Sequence, residues 1–347
     1  MDQYETIRRR NTSHQYPTSP NQARFLNPDE SIEEWVEEHL RYRHPPGDNL
    51  KDGFAPAEMT TTDFTIIRHQ GLFHLYGNGG FPGCFAGWPG QYEYLYHATT
   101  SDLINWTVHG IAMQPHPDNE YERGKIWPPF VFRHQDSFVM VYCGLDVHNC
   151  QCLCLATSDD LFEWTRFSGN PIIDPRNLEW TLKRTDGRVR HCRDPHVEKV
   201  GNTFYLYYAT IREDGYPAVG LSASDDLRIW NDLGPCFERM QGWVPESPLV
   251  IRRGNKYYLW VLPNQELYVS DDPTDFHGAK SVPVKGVDLN RIVAPEIIDR
   301  RYEDRYLIGF YGHRGRRISI GIMAWEKDKV VVTGIEEEEQ LKPWDFS

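Results

Sequence analysis

Asp194-Pro195-His196-Val197-Glu198-Lys199-Val200-Gly201-Asn202-Thr203-Phe204-Tyr205-Leu206-Tyr207 is the stretch that decides the fold: a carboxylate, an apolar run, a glycine turn, then a run rich in aromatics. Val, Phe and Tyr favour a pleated, half-buried surface, and Gly201-Asn202 supplies the backbone freedom of a tight turn, so the stretch reads as two antiparallel strands. The same order of features recurs. Asp63 to Tyr76 turns at Gln70-Gly71, Pro129 to Met140 at Gln135-Asp136, and Glu246 to Leu259 at Gly254-Asn255; a fifth copy runs from Glu296 through Asp299 to Tyr306 and Tyr311. Self-similarity at a period of roughly 50 residues marks stacked units such as propeller blades. Five openings predict five blades.

The second half of each unit repeats as well. Ser101-Asp102-Leu103-Ile104-Asn105-Trp106 returns as Ser158-Asp159-Asp160-Leu161-Phe162-Glu163-Trp164, as Ser224-Asp225-Asp226-Leu227-Arg228-Ile229-Trp230, and in degenerate form as Ser270-Asp271-Asp272-Pro273-Thr274-Asp275-Phe276. Ser and Asp side chains bond nearby amides to hold a turn, while the Leu and the aromatic pack between sheets. A motif made four times is architecture. The predicted fold is all-β, a five-bladed β-propeller over residues 54–335, preceded by an extension, 1–53, and followed by a tail, 336–347. In the extension, Ser31 and Glu34 form a capping box, and Ile32, Trp35, Val36 and Leu40 recur at helical spacing, which predicts one short amphipathic helix packed on the main domain or on a second subunit.

The chain is long and apolar enough for a large core: 347 residues, 39% hydrophobic. Its formal charge of −13 repels nucleic acid and anionic membranes and favours a neutral partner such as an oligosaccharide. No apolar run suits a bilayer-spanning helix, and Met1-Asp2-Gln3-Tyr4-Glu5 lacks the basic start of a signal peptide, so a cytoplasmic location is expected. Seven cysteines are read as reduced thiols. Cys150, Cys152 and Cys154 alternate along a strand, and buried structural thiols are preferred there over a zinc site, whose cysteines are usually spaced more widely.

Equivalent strands of a propeller open on one rim, so residues far apart in sequence converge. The residues at those openings are Asp63, Asp194, Glu246 and Glu296. Asp63 and Glu246 precede their turn glycine by the same interval, and Asp194 by one residue less. Carboxylates crowded in a confined channel lose solvation and repel, a liability that chemistry explains better than stability does. Cleaving a glycosidic bond needs two carboxyl groups, one protonated to assist the leaving oxygen and one ionised to attack the sugar or activate water.

Arg193-Asp194-Pro195 and Glu246-Ser247-Pro248 resemble the Arg-Asp-Pro and Glu-Cys-Pro motifs of the fructosidase branch of five-bladed propeller glycosidases, which include glycoside hydrolase families 32, 43, 62 and 68. The resemblance covers roughly residues 55–335, and Ser247 stands where that branch has cysteine. It implies that Asp63 is the nucleophile of a retaining enzyme or the base of an inverting one, Glu246 the general acid, and Asp194 a ligand of sugar hydroxyls that tunes Glu246, with Arg193 beside it. The first aspartate stands in Met59-Thr60-Thr61-Thr62-Asp63-Phe64-Thr65 where the fructosidase branch has Trp-Met-Asn-Asp-Pro-Asn, and the C-terminal β-sandwich typical of family 32 is not expected. The substrate implied is a terminal β-fructofuranoside or α-L-arabinofuranoside. No cofactor is required, while a structural cation on the propeller axis stays open.

Trp127, Trp243 and Trp88 are candidates to stack on a sugar, Glu296 to shape the pocket, and His313 and Arg314 to reach an anionic group from a turn. Arg314, Arg316 and Arg317, with Arg252 and Arg253, would suit the phosphate of a glycoside phosphorylase but read better as a solvated face. Two alternatives to hydrolysis therefore remain at this point, a non-catalytic carbohydrate-binding propeller and that phosphorylase. Self-association through the extension is the one protein contact expected.

Overall fold

The computed structural model describes residues 53–56, 60–80, 94–183, 189–239, 244–262, 266–286, 292–300, 302, 304–312, 317–335, 337–344 and 346. Among them, twenty strands follow the sequence repeat as four-stranded antiparallel meanders. The first is β1 (Thr60–His69), β2 (Leu72–Gly80), β3 (Leu95–Thr100) and β4 (Thr107–Met113); the second is β5 (Lys125–His134), β6 (Ser137–Leu145), β7 (Gln151–Ser158) and β8 (Thr165–Arg166). The third is β9 (Cys192–Val200), β10 (Thr203–Ile211), β11 (Pro217–Ser224) and β12 (Asn231–Glu238). β13 (Leu249–Arg253), β14 (Lys256–Trp260), β15 (Glu266–Ser270) and β16 (Lys280–Gly286) form the fourth, and β17 (Ile292–Asp299), β18 (Arg305–Gly312), β19 (Ser319–Glu326) and β20 (Lys329–Gly334) the last. β16 pairs in parallel with β20, from Val284↔Val330 to Gly286↔Val332, which fuses the last two meanders into one eight-stranded sheet.

The first strands β1, β5, β9 and β13 neighbour one another in order, and β17 returns against β1, so the sheets stand around a channel. Alternation along each strand sends one face to each neighbouring sheet. Apolar side chains accordingly collect between sheets: Leu95, Met140 and Leu161 between the first and second, Leu153, Cys192 and Leu206 between the second and third. Val219 and Leu259 join the third to the fourth, Leu267 and Ile308 the fourth to the fifth, and Phe64 and Ile320 the fifth to the first. Two short 3-10 turns, Glu338–Gln340 and Lys342–Trp344, fold back so that Leu341 and Trp344 complete this last cluster.

The Ser-Asp-Leu turns are built as their chemistry requires, with one shift. Ser158 Oγ accepts the Leu161 N–H at 2.8 Å and Ser224 Oγ the Leu227 N–H at 2.9 Å, but in the first meander Thr100, not Ser101, plays this part, accepting from Leu103 at 3.0 Å. Asp102, Asp160 and Asp226 each accept two further amides. These bonds hold Leu103, Leu161 and Leu227 at φ of 64°, 67° and 64°, a left-handed conformation that leucine rarely adopts, and turn each side chain into the core. The indoles of Trp106 and Trp230 then donate to the Leu103 and Leu227 carbonyls. In the second meander the Leu161 carbonyl is taken instead by Tyr76 Oη from the meander before it, and the Trp164 indole packs edge-on against Tyr76. Tyr207 Oη bonds the Pro273 carbonyl in the same cross-sheet manner at 2.8 Å.

Arg317 departs from the expected solvated face: it is buried and donates through Nε to the Gly53 carbonyl at 2.7 Å, beside the short antiparallel bridge of Phe54 with Ile318. A backbone carbonyl buried at that point needs a donor, and Arg317 supplies it. The helix expected at residues 31–40 lies outside the described residues. Among the described residues no helix is long and apolar enough to cross a membrane.

Candidate active site

The strands that open on the channel do not run smoothly through it. β1 loses register with β2 between Thr61 and Phe64, β9 loses it with β10 between Arg193 and His196, and β17 with β18 between Val293 and Glu296; β5 has the same irregularity at Trp127/Pro129. A bulge inserts a residue on one strand, bends it and re-aims the side chain there. Asp63 and Asp194 sit in such bulges. Asp194, Ser247 and Ala294 have φ of 56°, 49° and 45°, and each is followed by proline, so the kink is repeated in the third, fourth and fifth meanders. Left-handed backbone at non-glycine residues persists only where surrounding contacts enforce it.

Three acids from three meanders are brought together. Arg193, whose side chain is 6% exposed, places Nε 3.5 Å from Asp194 Oδ2 and bonds Glu246 Oε1 through Nη2. Asp194 Oδ2 also accepts the Ser247 N–H at 3.0 Å, and Ser247 Oγ donates to Asp63 Oδ1 at 3.1 Å. Tyr311 Oη donates to the other oxygen of Asp63 at 3.4 Å. Asp63, Ser247, Asp194, Arg193 and Glu246 are therefore one connected network, although Asp63 and Glu246 are 183 positions apart in the chain.

Charge is short in this network, because Arg193 is the cation that faces all three carboxylates. Burial lifts Asp194 to about 7, opposed by Arg193 and reinforced by the charges of Asp63 and Glu246. Burial likewise raises Asp63, and Glu246 adds to it, while the amide of Asp63 itself, the Ser247 hydroxyl and Arg193 pull it back down. The cluster thus retains protons at a pH where free aspartates hold none, and it can both give and take one. Glu246 has 34% of its side chain exposed, against 7% for Asp194.

Glu296 faces the same channel but not from the same position. It follows the bulge of β17 and pairs with Gly309, which makes it the counterpart of His196, first after the bulge of β9, rather than of Asp194 within it. Its carboxyl is raised well above the ordinary range by burial, with Arg300 opposing and Asp63 adding. Trp127 lies in β5, half-buried against the core between the second and third meanders, and its indole N–H is buried with no hydrogen-bond partner. Trp88, Trp243, His313 and Arg314 lie outside the described residues.

Sequence reasoning missed four supports. Ser247 and Tyr311 grip Asp63; His191 Nδ1 contacts Arg193 Nη1; and Gln151 Oε1 accepts the Cys192 N–H at 3.0 Å and lies 3.5 Å from Arg193 Nη1. His191 immediately precedes β9, two residues before Arg193. Among the described residues, ligand atoms fit to hold a metal gather at Cys150, Cys152 and Asp174, where the first two flank Gln151.

Residues 65–327 match the family model described as the glycosyl hydrolases family 32 N-terminal domain. A protein of Psychromonas ingrahamii described as a probable sucrose-6-phosphate hydrolase is 25% identical over 192 residues, covering 53% of this chain and 32% of that protein. The chain spans about a third of the length of that curated relative. Among solved structures, a family 32 β-fructofuranosidase of Bombyx mori, a mutant in complex with sucrose, superposes with a TM-score of 0.62 at 17% identity, over 89% of this chain and 70% of that one. An α-L-arabinofuranosidase of Clostridium thermocellum does so with a TM-score of 0.59 at 15% identity, over 79% and 94%. At such identities the structural likeness concerns the fold, an all-β propeller.

Proposed function

The chain belongs to glycosyl hydrolases family 32, and from that premise we propose that it hydrolyses a terminal furanoside, a β-fructofuranoside before an α-L-arabinofuranoside, through Asp63, Asp194 and Glu246. The observation that carries the proposal is the network in which Arg193 joins Asp194 to Glu246 while Ser247 joins Asp194 to Asp63. Two carboxyls set around a sugar-sized opening, one ionised and one protonated, are what glycosidic cleavage needs.

Asp63, gripped at both oxygens by hydroxyl donors, has its lone pairs fixed in direction and is the group that acts on the anomeric carbon, directly or through a water. Glu246 delivers a proton to the leaving oxygen and, if the reaction retains configuration, takes one back from the water that cleaves the intermediate. Asp194, buried and bonded by Arg193 and the Ser247 amide, receives sugar hydroxyls and sets the charge that Glu246 feels. Trp127 backs the channel from the core between the second and third meanders, and Glu296, its carboxyl raised by burial, shapes the channel beside Asp63. Stereochemistry follows from the separation of the Asp63 and Glu246 carboxyls, about 5 Å for retention and roughly 6.5 to 9.5 Å for inversion.

In this reading each meander is one blade, five in all, residues 54–335 are the catalytic unit, and 1–53 and 336–347 flank it. The substrate is a small neutral glycoside or a phosphorylated derivative such as the name of the Psychromonas relative describes, and the chemistry needs no cofactor. Buried free thiols, six among the described residues, fit a reducing cytoplasm.

The test is turnover of sucrose, sucrose 6-phosphate and nitrophenyl furanosides by the parent, Asp63→Asn and Glu246→Gln. Both variants are expected to keep the parent's melting temperature and to lose activity by at least about a thousandfold. A parent that binds these sugars and cleaves none of them would make the protein a carbohydrate-binding module.

A further inference from the structure

A second group of reactive side chains lies next to the channel network without belonging to it. Cys150 and Cys152 flank Gln151 at the start of β7, and Asp174 caps the 3-10 turn Pro175–Asn177. One ligand atom from each lies within 4.8 Å of the other two, with both cysteines buried and Asp174 half-buried. Cys154, next in the alternation, is set against Glu122 and Tyr142 instead.

We infer that Cys150, Cys152 and Asp174 form a binding site for one thiophilic divalent cation of the zinc type, with water in the fourth position. The donors are of the right kind: thiolates select soft and borderline ions, and a carboxylate completes the zinc sets that keep a water ligand. The spacing also fits. Zinc–sulfur bonds of about 2.3 Å in a tetrahedron put two sulfurs roughly 3.8 Å apart, inside the 4.8 Å within which the three ligand atoms lie.

What surrounds the three ligands distinguishes the group from cysteines that merely fill a core. Arg176 bonds both oxygens of Asp174 through Nε at 2.9 Å, reaches Asp146 Oδ2 through Nη1 at 3.1 Å, and donates to Cys152 Sγ through Nη2 at 3.7 Å. Asp146 in turn accepts the backbone N–H of Cys150 and of His148, each at 2.8 Å. Ligands oriented by an outer layer of hydrogen bonds are the mark of a metal centre. Two thiolates and one carboxylate bring −3 against the +2 of a divalent ion, and Arg176, shared between Asp174 and Asp146, adds positive charge beside them. As the two sulfur–metal bonds form, each thiol passes its proton to solvent, so binding releases two protons and tightens as pH rises.

The full-length chain, stripped with a chelator and kept reduced with a phosphine, is titrated with zinc alone against a chromophoric competitor at neutral pH. One equivalent is expected to bind, with two protons released, and Cys150→Ser and Cys152→Ser are each expected to bind at least ~10-fold more weakly while Cys154→Ser binds as the parent does. Cobalt(II) on the unmodified parent gives a readout that does not depend on how the variants fold: thiolate-to-cobalt charge-transfer absorption in the near ultraviolet. A parent without that absorption, or variants as tight as the parent, would overturn the assignment.

Discussion

Ser247 Oγ donates a hydrogen bond of 3.1 Å to Asp63 Oδ1, while the amide of the same residue donates to Asp194 Oδ2 at 3.0 Å. One residue therefore holds two carboxylates from different meanders, and it can do so because its left-handed backbone, φ 49°, turns the amide and the hydroxyl in different directions. Ser247→Ala keeps the amide and loses the hydroxyl. Since that hydroxyl pulls the Asp63 carboxyl down against burial and Glu246, its loss raises Asp63 further. Activity that needs ionised Asp63 should then disappear at higher pH on the acidic side, with the acidic limb displaced upward by about one pH unit. The pH–rate profile checks this, and an unmoved acidic limb would remove Ser247 from the chemistry.

Arg193 is the guanidinium on which Asp194 and Glu246 both depend. Arg193→Met leaves Asp194, already buried, without its counter-charge, and should lower stability by about 3 to 5 kcal/mol, measured by denaturant unfolding. Arg193→Lys keeps the charge but not the fork that reaches two carboxylates at once, so it should recover part of the stability and little of the activity.

A pair of buried imidazoles sets an acid limit on the fold. His74 Nδ1 and His97 Nε2 are 3.1 Å apart between β2 and β3, and burial pushes His74 down to about 4 and His97 to about 3. The unfolded chain binds these protons from about pH 6.5 downward and the folded one does not, so stability is full above 6.5 and falls with pH between 6.5 and about 4. Each imidazole should contribute about 2 kcal/mol to that fall. His97→Gln, which keeps a hydrogen-bonding side chain without the titration, should flatten the decline in melting temperature measured across this window.

Trp344 is 1% exposed and lies, with Leu341, in the cluster between the first and last meanders. Trp344→Ala should cost about 3 to 5 kcal/mol, the usual penalty for emptying a large aromatic site, as read by chemical denaturation. A loss below 1 kcal/mol would mean that the C-terminal turns only rest on the domain.

The repeat was legible because each meander must bury two faces and turn at fixed points, which writes aromatic alternation, Gly turns and Ser-Asp-Leu motifs directly into the chain. Arg193, Asp194 and Glu246 were legible as motifs, and the structure brings them to one place with Asp63. What stayed hidden was register. The bulges that aim Asp63 and Asp194 depend on which partner residue loses its pairing, so Glu296 read as equivalent to Asp194 when it lies beyond the kink. Arg317 looked like a surface charge because its partner is a backbone carbonyl, Gly53, that no side-chain pattern announces.

The parallel pairing of β16 with β20 makes the junction between the fourth and fifth units unlike the rest of the ring. There, neighbouring units share a strand pairing, whereas the third and fourth units are joined by the Tyr207 phenol and the single main-chain bond from Phe276 to Cys236. Thermal or mechanical opening of the circle should start away from that welded joint.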